Sequence, residues 1–466
     1  MQDTTAVDIE LLDELVEYLR IPSISSGGGD PRDLERAAAW VRERILEAGG
    51  SAEVVRLGGN PLVVGELPSR RKGAPDVLIY GHYDVQSPDP VSAWTTPPFE
   101  PSIRDGRLYA RGASDDKGNF LPLLHVACRL ARSGDLPVNV RIVVDGEEEI
   151  GGDSAERWLR TDARGADCAV VFDMDMQDEH TPALTLGLRG IISLDVAVRT
   201  AERDLHSGMY GGAALNAVHV LHRMLGEILP GPDGRLRPEL RAGVAPPTEQ
   251  ERTSWARLPA GEGVLAAAGA RAVDPAAPAE LYERIWADAS VDVNGFAGGD
   301  ALQRRTIIPA EARAKVSMRL VPDQRADEMA ALLVRLLREA TPHGAEVSID
   351  HPAVAPAALF DPASPALVRA AHVLGHVCGV PPALRRSGGS IPVLAAFAAR
   401  GIPTIVSGFA LDTDRIHAPD ESFRLESLRL GEQAAHELYE SLADLRTGEL
   451  AQAEDWGPRE DWSDWE

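Results

Sequence analysis

The stretch DVLIYGHYDV, residues 76–85, decides the fold. Val77 to Tyr80 form an apolar run, and the run ends by presenting His82 and Asp84 two positions apart. In an extended chain, side chains at i and i+2 share a face. The imidazole and the carboxylate therefore point the same way, with Tyr83 between them facing the other. Alone, a histidine and an aspartate after a strand also fit a histidine with a local hydrogen bond, so the rest of the chain has to weigh the two readings.

Working outward, SAEVVRL (51–57) and NPLVVGEL (60–67) precede this strand, and VNVRIVVDGEEE (138–149) and DCAVVFDMD (167–175) follow it. Helical apolar spacing lies between and around them at 6–20, 34–49 and 117–133. Helices alternating with short apolar strands predict an α/β domain, a mixed and mostly parallel sheet flanked by helices. Ligands collect at the carboxyl ends of such strands. His82, Glu148, Glu149 and Asp173 all fall at those ends.

From residue 191 the pattern changes. IISLDVAVRT (191–200) alternates as a half-buried strand, and a helix is expected at 213–228. A second alternating strand at 312–323 leads into the helix DEMAALLVRLLREA and the strand AEVSID. This predicts an inserted α+β domain, ferredoxin-like, over 191–352, serving as a lid and dimerisation module. Residues 229–290, rich in Pro, Gly and Ala, yield no assignable element. The α/β pattern resumes over 353–447, completing a catalytic domain begun by 1–190. The acidic end, 448–466, carries three tryptophans without either period and is expected to be disordered.

The 466 residues are 44% hydrophobic and 26% charged, the composition of a soluble globular protein. No stretch reaches the roughly 18 uninterrupted apolar residues of a membrane span. The acidic, amphipathic N-terminus is no secretory signal. A net charge of −25 argues against nucleic acid as a partner. Cys128, Cys168 and Cys378 are scattered, which suits a reducing cytoplasm and argues against a thiolate zinc site. Any metal here needs His, Asp and Glu.

Five segments offer those donors at the ends of apolar runs: GHYDV, RGASDDKGN with Asp115 and Asp116, DGEEEIGG with Glu147 to Glu149, VFDMD with Asp173, and IHAPDE with His417. Imidazole with carboxylate suits zinc, manganese or cobalt. Two cations about 3.5–4 Å apart need a shared anion between them. Spacing alone does not join the five loops into one site.

Taken together, these segments and GLRG, DLHSGMYGG, SMRLVPD and GGSIPV resemble the co-catalytic zinc exopeptidases, the family of carnosine dipeptidase, carboxypeptidase G, aminoacylase and succinyl-diaminopimelate desuccinylase. The resemblance runs from about residue 10 to residue 445 and is greatest to the cytosolic dipeptidase branch. It implies two divalent ions, zinc first and manganese or cobalt next. His82, Asp115 and Asp173 would hold one, and Asp115, Glu149 and His417 the other. Asp115 would be the bridge, ahead of a cis peptide to Asp116. Asp84 would orient His82, and Glu148 would be the general base. The choice among the three glutamates rests on the family's Glu-Glu-x-Gly register, and Asp175 rivals Asp173. His206 would stabilise the oxyanion in a partner subunit's site, and Arg319 and Ser390 would hold the substrate's terminal carboxylate, with Arg386 and Thr306 as further contacts. The implied activity is hydrolysis of dipeptides or short peptides by a homodimer. The alternatives are an N-acyl-amino-acid deacylase or desuccinylase using the same site, and a catalytically idle metal-binding scaffold.

Overall fold

The strand Asp76–His82 lies inside a six-stranded sheet of the computed structural model, which describes residues 7–445 except 301, 304 and 390. The order across the sheet is Ser51–Val55, Leu62–Leu67, Asn139–Asp145, Asp76–His82, Cys168–Phe172, Thr404–Ser407. The first two junctions are antiparallel and the remaining three parallel. Val77 to Tyr80 are fully buried, as a central parallel strand covered on both faces requires. In register, His82 faces Asp145 and Tyr80 faces Val171. Parallel strands so aligned bring the loops after His82, Asp145 and Phe172 to one edge of the sheet.

The helix Lys117–Ser133 packs on the central strand and also meets Ile9–Leu19 and Leu425–Leu442. Each of these three helices turns a run of buried apolar residues inward. Asp8 caps the first of them by accepting the N–H of Glu10, and Pro31 with Asp30 starts the helix Pro31–Glu47. The ring of Tyr18 stacks on Trp40 with centroids 4.4 Å apart.

The chain forms two compact units. The one just described takes the chain up to Leu186, Phe360–Arg385 and the chain from Ile391 onward. The other is Gly187–Leu359 with a short stretch from Arg386. The hydrophobic pattern sets these crossings near 190 and 352. The tail 448–466 lies outside the described residues.

The second unit is a β-α-β-β-α-β run with an antiparallel sheet ordered Ser290–Gly298, Glu311–Leu320, Gly190–Arg199, Glu346–Ala355, the ferredoxin-like arrangement. Burial alternates along Gly190–Arg199 and Glu311–Leu320, because the helices Ala217–Gly226 and Ala326–Glu339 cover one face only. Ile192, Leu194, Val196, Met318 and Leu333 are part of that core. The stretch 229–290, opaque in sequence, holds the short helices Glu249–Trp255, Gly261–Ala267 and Leu281–Trp286. Ion pairs tie it together: Arg235 and Arg241 both reach Asp288, and Arg284 reaches Asp274 and Glu280. Among the described residues, no helix is long and apolar enough to cross a membrane.

Candidate metal centre

His82 ends the central strand with its ring fully buried. Its Nδ1 lies 3.0 Å from the Asp84 carbonyl and 3.4 Å from Asp84 Oδ1. Its Nε2 lies 3.0 Å from Asp115 Oδ1 and 3.8 Å from Asp173 Oδ1. On the other side of Asp115, Oδ2 is 2.9 Å from His417 Nε2, which also lies 3.0 Å from Glu149 Oε2. The two oxygens of one carboxylate thus face two imidazoles carried by loops far apart in the chain. The peptide between Asp115 and Asp116 is cis, as the family resemblance led us to expect.

Asp84 links these loops. Its Oδ1 accepts the backbone N–H of Glu148 at 3.2 Å, and its Oδ2 accepts that of Glu149 at 3.1 Å and the Ser25 hydroxyl at 2.6 Å. Glu147 points elsewhere, accepting the N–H of Asn60 at 2.7 Å and of Ser154 at 2.8 Å. Asp175 is likewise engaged away from the imidazoles, with Arg385 at 2.5 Å.

Two groups of donors result, each with its ligand atoms within 4.8 Å of one another: His82, Asp116 and Asp173, and Asp115, Glu149 and His417. Asp116 is the addition: its segment offered it as a donor, but the resemblance assigned it to neither ion. Its Oδ2 accepts the His82 N–H at 3.1 Å, and its buried Oδ1 has no partner among the described residues.

Crowded carboxylates reshape the local acidity. Burial, then the charge of Asp173, pushes Asp116 well above the usual carboxylate range. Asp173 is raised by burial and by Asp115 and the two glutamates. Burial, with Asp115 and Glu149 nearby, lifts Glu148 to about 7. Asp115 moves the other way: burial opposes its charge, but the bonds from His417 and His82 outweigh burial. His417 rises to about 10 through its bonds to Asp115 and Glu149. This donor set fits divalent cations. Imidazole and carboxylate are the right chemistry, the negative charge is in excess, and Glu149 Oε1 is buried with no hydrogen-bond partner among the described residues. A cavity of about 380 Å³ adjoins Asp115 and Asp173, bordered also by Met174, Leu411 and Arg415.

In the second unit, His206 is exposed and its Nδ1 accepts the N–H of Gly208 at 3.1 Å. Thr306 is its neighbour, because Leu205–His206 pairs with Ile307–Ile308 and the Thr306 carbonyl accepts the Ser207 N–H at 2.9 Å. Arg319 is half-buried, opposite Ser290. Arg386 is buried and grips Glu251 with two bonds of 2.6 and 3.0 Å. Its guanidinium is therefore already matched to an anion. Ser390 lies outside the described residues.

Sequence reading missed two residues that touch this centre. Glu421 accepts backbone N–H groups from the Asp115 loop, and Gln86 donates to Glu149 Oε2 at 3.0 Å. Glu421 ends the quoted motif IHAPDE and Gln86 directly follows GHYDV, so proximity to a candidate ligand was the available signal.

Two imidazoles and several carboxylates on loops at the carboxyl edge of an α/β sheet define a metal-dependent hydrolase. The chain belongs to peptidase family M20/M25/M40, whose profile matches residues 78–441. It is 30% identical over 334 residues to the Beta-Ala-His dipeptidase of Rattus norvegicus, covering 67% of this chain and 68% of the relative. It is 27% identical over 418 residues to the Cys-Gly metallodipeptidase DUG1 of Saccharomyces cerevisiae, covering 83% and 86%. Among solved structures, the M20 family metallo-carboxypeptidase Sso-CP2 from Sulfolobus solfataricus superposes with a TM-score of 0.81 at 26% identity, covering 94% of this chain and all of that one.

Proposed function

We propose that this chain is a two-metal dipeptidase. The observation that carries the reading is Asp115, with one oxygen 3.0 Å from the His82 imidazole and the other 2.9 Å from that of His417. A carboxylate so placed is suited to bridge two cations. His82 and Asp173 complete one site, with Asp116 beside them, and Glu149 and His417 complete the other. Zinc is the favoured metal for this donor set, with manganese and cobalt as competent substitutes. Metal ions held by these residues would supply Lewis-acid chemistry, polarising a carbonyl and lowering the pKa of water toward neutrality.

The remaining work falls to side chains. Glu148 takes the proton of the attacking water and returns it to the leaving amine. Asp84 fixes the His82 tautomer through Nδ1 and, through the backbone of Glu148 and Glu149, ties base and ligand to the same strand end. Arg319, with Thr306 and Ser390, receives the substrate's terminal carboxylate, for which a guanidinium fork is the right shape. His206 stabilises the developing oxyanion, acting in trans in a homodimer. Dipeptides are favoured because both curated relatives carry dipeptidase names. The free cysteines fit a cytoplasmic setting.

Purified protein, assayed for metal content and against a dipeptide panel beside acetyl- and succinyl-amino acids, tests this reading. Dipeptide turnover is expected. Preference for the acylated amino acids would make it a deacylase, and bound metal without turnover of any amide would make it a scaffold.

A further inference from the structure

The first unit holds a second cluster of metal-ligating chemistry. His125 lies two turns into the Lys117–Ser133 helix, and its ring is completely buried. Its Nδ1 bonds Glu14 Oε2 at 2.8 Å, while its Nε2 has no hydrogen-bond partner among the described residues. The same ring stands against two more carboxylates: His125, Asp8 and Glu432 offer ligand atoms within 4.8 Å of one another. Asp8 caps the first helix and Glu432 belongs to Leu425–Leu442, so the three donors come from three packed helices.

We propose that His125, Asp8 and Glu432 form a further divalent-cation site, for zinc by preference, separate from the Asp115 centre. A carboxylate on one ring nitrogen is what a ligating histidine normally has. Glu14 is that carboxylate, and it fixes the tautomer that leaves the Nε2 lone pair free. An imidazole with two carboxylates and a water makes a four-coordinate zinc set, whereas calcium and magnesium favour all-oxygen shells.

The charges agree. Asp8, Glu14 and Glu432 bring three negative charges against one guanidinium, that of Arg129, whose Nη1 lies 3.3 Å from Asp8 Oδ2 and 2.6 Å from Glu432 Oε1. Two negative charges are left over while that guanidinium stays, and three once it leaves. Arg129 is the competitor for this place. Its side chain is 35% exposed, so it can turn outward when the ion binds. A cavity of about 470 Å³ on the Glu14 side of the ring is bordered by His125, Glu14, Asp13 and Glu17, and also by Arg44 and Arg132. The ion would pin the first and last helices to the helix that begins just after Asp115.

Zinc bound per full-length chain, counted by elemental analysis after gel filtration, tests the site. His125→Gln and Glu432→Gln should each bind one zinc fewer than the parent, whatever number the Asp115 centre holds. Glu14→Gln should weaken that one ion by about 10–100-fold. Arg129→Met should bind it more tightly, which a plain ion-pair role for Arg129 does not predict. Unchanged zinc counts in both His125→Gln and Glu432→Gln, with circular dichroism showing either one folded, would overturn the proposal. So would a crystal structure grown in zinc that shows only a water on Nε2.

Discussion

Glu421 Oε1 accepts the backbone N–H of Asp115 at 3.1 Å, across 306 residues of chain. The same carboxylate accepts the N–H of Ser114 at 2.9 Å and of Gly112 at 3.0 Å, and a guanidinium N–H of Arg111 at 2.6 Å. Both Glu421 and Arg111 are buried. A charge removed from water by four donors sets the path of the loop that aims Asp115 at two imidazoles. Glu421 is thus a positioning residue for Asp115, the carboxylate proposed to bridge the metals.

Glu421→Gln should leave Arg111 buried without its counter-charge. Breaking one side of a buried pair costs about 3–5 kcal/mol. Urea unfolding should therefore shift to markedly lower midpoint, and metal should be retained less tightly. A variant as stable as the parent would show that the pair does not fix this loop.

Glu148→Ala keeps the ligand set intact and removes the proposed proton carrier. General acid–base groups contribute about 10²–10⁴-fold. Metal content should be unchanged while kcat falls by that range, and normal hydrolysis would remove Glu148 from the mechanism.

Asp84→Asn presents an amide where two carboxylate oxygens now accept the N–H groups of Glu148 and Glu149. An NH₂ group cannot accept either bond. Metal affinity, followed by competition with a chelator, is expected to drop by about 10–100-fold. Equal affinity in parent and variant would count against Asp84 as the orienter of His82.

Stripping the metal with a chelator should abolish turnover and lower Tm. Binding that favours the folded state stabilises by about 2.7 kcal/mol at a ligand concentration a hundred times Kd. Added zinc, manganese or cobalt should restore both properties. Hydrolysis that persists at full strength after complete removal would sink the two-metal reading.

Arg319→Ala tests recognition of the terminal carboxylate. A hydrogen bond to a charged group contributes about 1.5–3 kcal/mol, so KM for a dipeptide should rise roughly 10–100-fold. The corresponding dipeptide amide, which lacks that carboxylate, should respond little. Equal losses for both substrates would place the role of Arg319 elsewhere.

The central strand, the parallel neighbours and the alternating strands of the inserted unit were legible because burial leaves its period in the residues. The donor loops were legible as motifs, but their convergence was not, since nothing local in GHYDV speaks of IHAPDE. The three glutamates were undecidable by spacing. What separates Glu147 is a pair of N–H groups, on Asn60, 87 residues away, and on Ser154, seven residues on. Arg386 looks in sequence like a free fork for a substrate carboxylate, and its partner Glu251 sits in the stretch that gave no pattern. That stretch is silent because its helices are six or seven residues long, too short for an apolar stripe. Arginine–carboxylate ties and the Trp255–Trp286 contact hold it instead.

The first unit takes its sixth strand, Thr404–Ser407, and the helix Leu425–Leu442 from the far end of the chain, with the whole second unit encoded between. During synthesis, the chain must therefore emerge past His417, second unit included, before the sheet can close or His417 can meet Asp115. A nascent fragment that stops short of His417 lacks a donor of the centre, so it emerges without a complete site.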